Sequence, residues 1–143
     1  MQEGDVEVVC SALRNLKYES PYFEDYPEDA EHVHKTLPGM LQTPGSVCLM
    51  DKQYRGFMIG FIGCNWYSPV IEATEALLYV FEEHRGGPTA MALIRAFEQE
   101  AKRYGAYCVN AGASLGIAED KVIELYLRLG YERKGHGVIK RIQ

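Results

Sequence analysis

Long apolar runs are missing from this 143-residue chain: the longest stretch without a charged or strongly polar residue is 56–64, nine residues. A bilayer-spanning helix needs about 20. No basic segment followed by an apolar stretch opens the sequence. A secretory leader is therefore not expected, and a cytoplasmic location is. Cysteine is sparse: Cys10, Cys48, Cys64 and Cys108 stand 38, 16 and 44 residues apart with no C-x-x-C pair. That pattern argues against a metal site or a disulfide framework and for reduced, buried thiols. Positive charge is short as well, with 15 Lys and Arg against 20 Asp and Glu, a net charge of −5. Without a basic footprint, neither nucleic acid nor a membrane surface is an expected partner. Repeats and low-complexity linkers are absent.

What remains is the composition of an ordinary globular protein, 47% hydrophobic and 24% charged. The length suits one domain over 1–143 with one core. Residues 6–10 are a short apolar run and read as a first strand. Ser11 then caps a helix that Pro21 stops. Pro27 opens a second helix, with Glu28, Asp29 and Glu31 favourable in its first turn, and that helix ends before Pro38 and Gly39. Three strands follow, at 46–50, 56–66 and 72–80, in an antiparallel meander. Helical spacing sets in over 89–104, where Ala90, Leu93, Ile94, Phe97 and Ala101 share one stripe and Gly105 gives the stop. A strand at 106–111, an amphipathic helix at 119–129 and two short strands at 131–133 and 138–142 complete the pattern. The expected class is α+β, a mixed and mostly antiparallel sheet of six or seven strands with helices on both faces.

The informative stretch is the junction Leu78-Tyr79-Val80-Phe81-Glu82-Glu83-His84-Arg85-Gly86-Gly87-Pro88-Thr89-Ala90. A strand runs through small residues straight into a long helix. The first amides of that helix lack internal partners and carry the positive end of its dipole. Glycines let an anion approach the backbone closely.

Arg85-Gly86-Gly87-Pro88-Thr89-Ala90 resembles the acetyl-CoA-binding signature of the GCN5-related N-acetyltransferase (GNAT) superfamily: Gln or Arg, two residues, Gly, one residue, then Gly or Ala. The stretch Leu125-Tyr126-Leu127-Arg128-Leu129-Gly130-Tyr131 resembles that family's second signature, a Tyr ahead of Leu-Gly-Phe/Tyr. The element order above agrees with the family too. The sequence departs from the pattern twice, with Pro88 where the signature has its first Gly and Glu119 where an Asn often precedes the tyrosine by seven residues.

The resemblance implies acetyl-CoA as cofactor, CoA as product and no metal. The strand end Leu78, Tyr79 and Val80 would face the pantetheine arm. Arg85, Gly86, Gly87, Pro88, Thr89 and Ala90 would surround the pyrophosphate, and Glu119 would lie near the cofactor arm. Tyr126 would act as general acid for the leaving thiolate. The attacking amine must be neutral, so a base is needed. The candidates are Glu72, Glu75, Glu83 and His84, with Glu75 preferred because simple alternation puts it on one face with Leu77 and Tyr79. Backbone donors at Leu78 and Tyr79 would polarise the carbonyl.

The resemblance places the acceptor wall between the first two helices, where Tyr22, Phe23, Glu24, Asp25, Tyr26, Glu28 and Asp29 stand. Aromatic faces and carboxylates suit an ammonium group. The acceptor would be a small amine, a protein lysine or an N-terminal amine, and a homodimer stays open. His32 and His34 lack matching ligands, so no metal is expected there. A non-catalytic acyl-CoA-binding or interaction module on the same fold is the alternative.

Overall fold

The chain opens with a helix, not a strand. The computed structural model describes residues 1–135. After a 3-10 turn at Glu3–Asp5, helix α1 spans Val6–Glu19. Val6, Val9, Cys10 and Leu16 are buried, and Leu13 packs on the same core. Those positions recur at helical spacing, and the buried stripe outweighs the β-propensity of the valines. The expectation of a strand at 6–10 with a cap at Ser11 therefore fails. Ser20 is extended, as a residue before proline prefers, and ends α1.

Helix α2 spans Ala30–Gln42, starting after Pro27 rather than on it. Asp29 is its N-cap, accepting from the His32 amide at 2.8 Å. The helix also runs through Pro38 instead of stopping before it. Leu37 is buried and Val33 packs on the same core, so tertiary burial offsets the lost backbone donor. The Thr43 hydroxyl donates to the Gly39 carbonyl at 2.7 Å in the last turn.

Strands β1 (Ser46–Met50), β2 (Gly56–Cys64) and β3 (Ile71–Val80) form the expected antiparallel meander. Helix α3 (Thr89–Arg103) returns the chain to β4 (Cys108–Asn110), which lies parallel to β3. Among the described residues the sheet is mixed, with four strands in the order β1-β2-β3-β4, where six or seven were expected for the whole chain. Residues 131–133 are irregular, and 138–142 lie outside the described residues. Helix α4 spans Glu119–Arg128.

Helices do cover both faces. On one, α1 and α2 enclose Phe57 and Tyr79, and on the other Leu93, Phe97 and Ala101 of α3 cover Met58, Ile62 and Ala73. At Gly60 a β-carbon would come within 2.5 Å of the Phe97 ring, so only glycine lets α3 sit this close. All four cysteines are free. Cys10 is buried, but Cys64 is exposed, contrary to the expectation of uniformly buried thiols.

Two irregularities in the sheet set up the site. The pairing of β2 with β3 shifts at Gly60: Ile59 faces Leu77, whereas Gly60 faces Glu75. Ala76 is the extra residue of a β-bulge. It turns Glu75 to the face opposite Leu77 and Tyr79, correcting the assignment made from alternation. The second irregularity is at β4, which pairs with β3 only through Glu72, Ala73 and Thr74. Beyond that point β3 runs on to Val80 without β4 beside it.

Candidate active site

The gap beyond the paired part of β3 and β4 is a cleft of about 290 Å³. Leu78, Tyr79 and Val80 line one side, His84, Arg85, Gly86, Gly87 and Ala90 its base, and the loop 112–118 with Lys121, Val122 and Leu125 the other side. The strand end and most of the glycine turn thus come together as the sequence predicts. The 112–118 wall and Lys121 were not anticipated. The small-residue run Ala111-Gly112-Ala113-Ser114 ahead of a helix was the only signal available for them.

The base of the cleft is chemically bare. Gly86 adopts φ +80°, open to glycine without strain, and space surrounds its α-carbon. No side chain caps α3, and no acidic residue stands in its first turn. Unpartnered amides at the positive end of the longest helix face a cavity, an arrangement that suits a phosphate. The diphosphate of a CoA cofactor fits this cradle.

Three of the residues expected around the cofactor, Pro88, Thr89 and Glu119, put no side chain into the cleft. Pro88 is the N-cap of α3 in helical conformation and offers no N–H. Thr89 is buried beneath the turn. Glu119 is exposed outside the cleft and accepts from the Tyr22 hydroxyl at 3.2 Å.

Arg85 borders the cleft, but its charge is matched. Its guanidinium pairs with Glu19 at the end of α1, donates from Nε to the Val80 carbonyl at 2.9 Å and lies over the Tyr79 ring at 5.7 Å. Glu19 was not foreseen, since nothing local in α1 marks it. The Tyr79 ring is buried against α1, where its hydroxyl accepts from Asn15 at 3.4 Å. Burial pushes the Tyr79 phenol up from its ordinary range.

Glu75 sits where the two strands part. Only 7% exposed, its carboxylate accepts from the Gly112 amide at 3.1 Å, the Ser114 hydroxyl at 3.2 Å and the Tyr126 hydroxyl at 3.0 Å. It occupies the place where a ladder would continue and satisfies a backbone donor left over by the split. Burial raises its pKa, with these three donors and the Leu78 backbone amide partly opposing the shift. Tyr126, on α4, is pushed well above the ordinary phenol range by burial and then by the Glu75 charge beside it. Its ring meets Tyr131 edge-on at 4.9 Å between centroids.

The other base candidates stand apart from this pair. Glu72 accepts from Asn65 at 3.0 Å. Glu83 is exposed in a 3-10 turn at Glu82–His84, and His84 borders the cleft.

A second, broader depression adjoins the cleft across residues 112–114, which line both. Tyr126 opens onto it, and so do Tyr22, Phe23 and Tyr26 from the connector between α1 and α2. Glu24, Asp25, Glu28 and Asp29, also expected on that wall, do not line it. Among the described residues, no group of three or more His, Cys, Asp or Glu could hold a metal ion. His34 instead meets Glu7 at 3.0 Å. Among the same residues, no helix is long and apolar enough to cross a membrane.

With a parted sheet, an uncapped helix and a buried tyrosine–carboxylate pair, comparison with known proteins gives a consistent answer. The profile of the acetyltransferase (GNAT) family matches residues 11–131. The chain belongs to that family. Curated proteins give no sequence match. Solved structures share the fold over nearly the whole chain. An aminoglycoside acetyltransferase from an uncultured soil metagenomic sample superposes with a TM-score of 0.71 at 17% identity, covering 100% of this chain and 95% of that one. The ribosomal-protein-alanine N-acetyltransferase of Brucella melitensis biovar Abortus 2308 gives 0.71 at 15% identity, covering 99% and 96%. A transcriptional regulator from Bacillus halodurans C-125 gives 0.79 at 12% identity, also covering 99% and 96%.

Proposed function

We propose that the chain transfers an acetyl group from acetyl-CoA to a primary amine, the amine attacking directly while both partners are bound. The observation that carries this reading is the uncapped start of α3 facing a cleft where β3 and β4 part. When bound, acetyl-CoA supplies an activated acyl thioester. The chain's own residues hold and orient it. Gly86, Gly87 and the first-turn amides at Thr89 and Ala90 would grip the diphosphate, while the end of β3 at Leu78 to Val80, which β4 leaves unpaired, would face the extended arm of the ligand.

Proton handling falls to Glu75 and Tyr126 as one unit rather than as a separate base and acid. Their oxygens are 3.0 Å apart, within reach for direct transfer. As the amine attacks the thioester carbon, Tyr126 would accept its proton and pass its own to Glu75 Oε2. As the C–S bond breaks, Tyr126 would give a proton to the leaving thiolate and recover one from Glu75, so that the amine's proton ends on the free thiol. Burial raises the affinity of Glu75 for the proton it must hold. Tyr126 keeps its hydroxyl protonated between these exchanges.

The second reading is a CoA-binding module without turnover. It draws support from Pro88, which removes a donor, and from Arg85, whose charge is matched by Glu19. Both readings expect CoA to raise the melting temperature, by about 2.7 kcal/mol of stabilisation at a hundredfold excess over Kd. Only the enzyme releases free thiol from acetyl-CoA when amines are added. Absence of the thermal shift at millimolar CoA would refute both.

A further inference from the structure

We propose that Tyr22 and Glu119 are positioning residues that fix the connector 21–26 as the wall of the amine side of the cleft. This rests on the transfer reading above, and the observation behind it is separate. The chain at 20–22 is fastened to residues 115–119 at three places. The Ser20 hydroxyl donates to the Leu115 carbonyl. The Tyr22 ring packs against Gly116, where a β-carbon would come within 2.8 Å of it. The Tyr22 hydroxyl donates to Glu119 at 3.2 Å. Gly116 has φ +67°, so it answers two needs, the backbone turn and the seat for the ring.

The geometry divides the loop's duties. Ile117 and Ala118 line the cofactor cleft, whereas Glu119, the next residue, lines the second depression with Tyr22, Phe23 and Tyr26. Ala118 makes this reversal by adopting the left-handed conformation at φ +46°. A carboxylate expected beside the cofactor arm is therefore turned away from it and holds the facing wall. Glu119 acts through Tyr22, and what it needs is an acceptor oxygen, not a charge.

Hydrogen–deuterium exchange on the full chain tests this, with CoA binding followed by calorimetry. Tyr22→Phe and Glu119→Ala should each speed exchange of the amides of 22–26 by about tenfold or more, as local opening becomes easier. The double variant should add nothing beyond either single one, because both remove the same bond. Glu119→Gln, which keeps an acceptor oxygen, should behave as the parent. CoA affinity and kcat should stay within about twofold throughout, because the bond lies outside the cofactor cleft, while the KM for an active amine should rise about threefold or more, and an unchanged amine KM would overturn the proposal.

Unchanged exchange in both single variants would overturn the proposal. So would Glu119→Gln behaving like Glu119→Ala, which would make the charge itself the active feature. Weakened CoA binding in Glu119→Ala would return Glu119 to the cofactor arm and overturn it as well. Failure of CoA to bind the parent would instead remove the transfer reading, and the exchange rates would still report on the fastening.

Discussion

Three helices in this molecule begin near its functional surfaces, and each treats its positive end differently. Helix α2 is closed by Asp29, whose carboxylate takes the His32 amide. Helix α4 has no side-chain cap but carries Glu119 and Asp120 in its first turn, so its dipole already faces negative charge. Helix α3 has neither cap nor acid, only glycines before it and a cleft in front. The same peptide physics yields two ends closed to anions and one open to them. An anion site is thus identified less by the helix than by what the chain refrains from placing there.

Ala90→Glu breaks the contrast most directly, because it gives α3 the first-turn carboxylate that α4 has. A carboxylate set against a diphosphate costs several kcal/mol, so the Kd for CoA should rise by about a hundredfold or more. Isothermal titration checks this, and circular dichroism of the variant should match the parent. Tyr126→Phe leaves the open end untouched and removes the hydroxyl that meets Glu75. Turnover with an active amine should fall by about a hundredfold with CoA affinity within twofold, and unchanged turnover would remove Tyr126 from the chemistry.

Glu75→Gln probes the buried pair through pH. A carboxyl whose pKa is raised on folding stabilises the fold when protonated. That contribution is complete below the ordinary value of 4.5 and is lost as pH rises through the raised one. The parent's melting temperature should therefore fall over that window, by at most about 1.4 kcal/mol of stability per pH unit for one group. The Gln variant should lack this component. The smallest effect is expected at Ala118→Gly, which relieves the left-handed alanine at the start of α4. The relief of about 1–2 kcal/mol is partly offset by the freer unfolded chain, so a gain of about 0.5 kcal/mol in urea unfolding is expected.

The open end of α3 was legible in the sequence because its signals are contiguous: strand, glycines and a long amphipathic stripe occupy one short stretch. The meander was legible for the same reason. What could not be read depended on residues far apart in the chain. Alternation along β3 placed Glu75 with Leu77 and Tyr79, and only the pairing with β2 reveals the bulge at Ala76. The valines of α1 looked like a strand until the stripe through Leu13 and Leu16 had a core to face. Pro38 looked like a stop, but Leu37 beside it is buried in the core and holds the helix there. Glu119 and Tyr22 are 97 residues apart, and Glu19 and Arg85 are 66 apart, so neither pairing leaves a local trace.

The clasp between Glu19 and Arg85 has a kinetic corollary. A guanidinium already matched projects little field into solvent, while the chain as a whole carries −5. On the proposed reading, a diphosphate approaching this turn would not be drawn in from afar but would be retained by peptide dipoles acting over a few ångströms. Its arrival should be slow and its departure governed by fit, and added salt should not weaken binding as steeply as it does at sites built on clustered lysine or arginine.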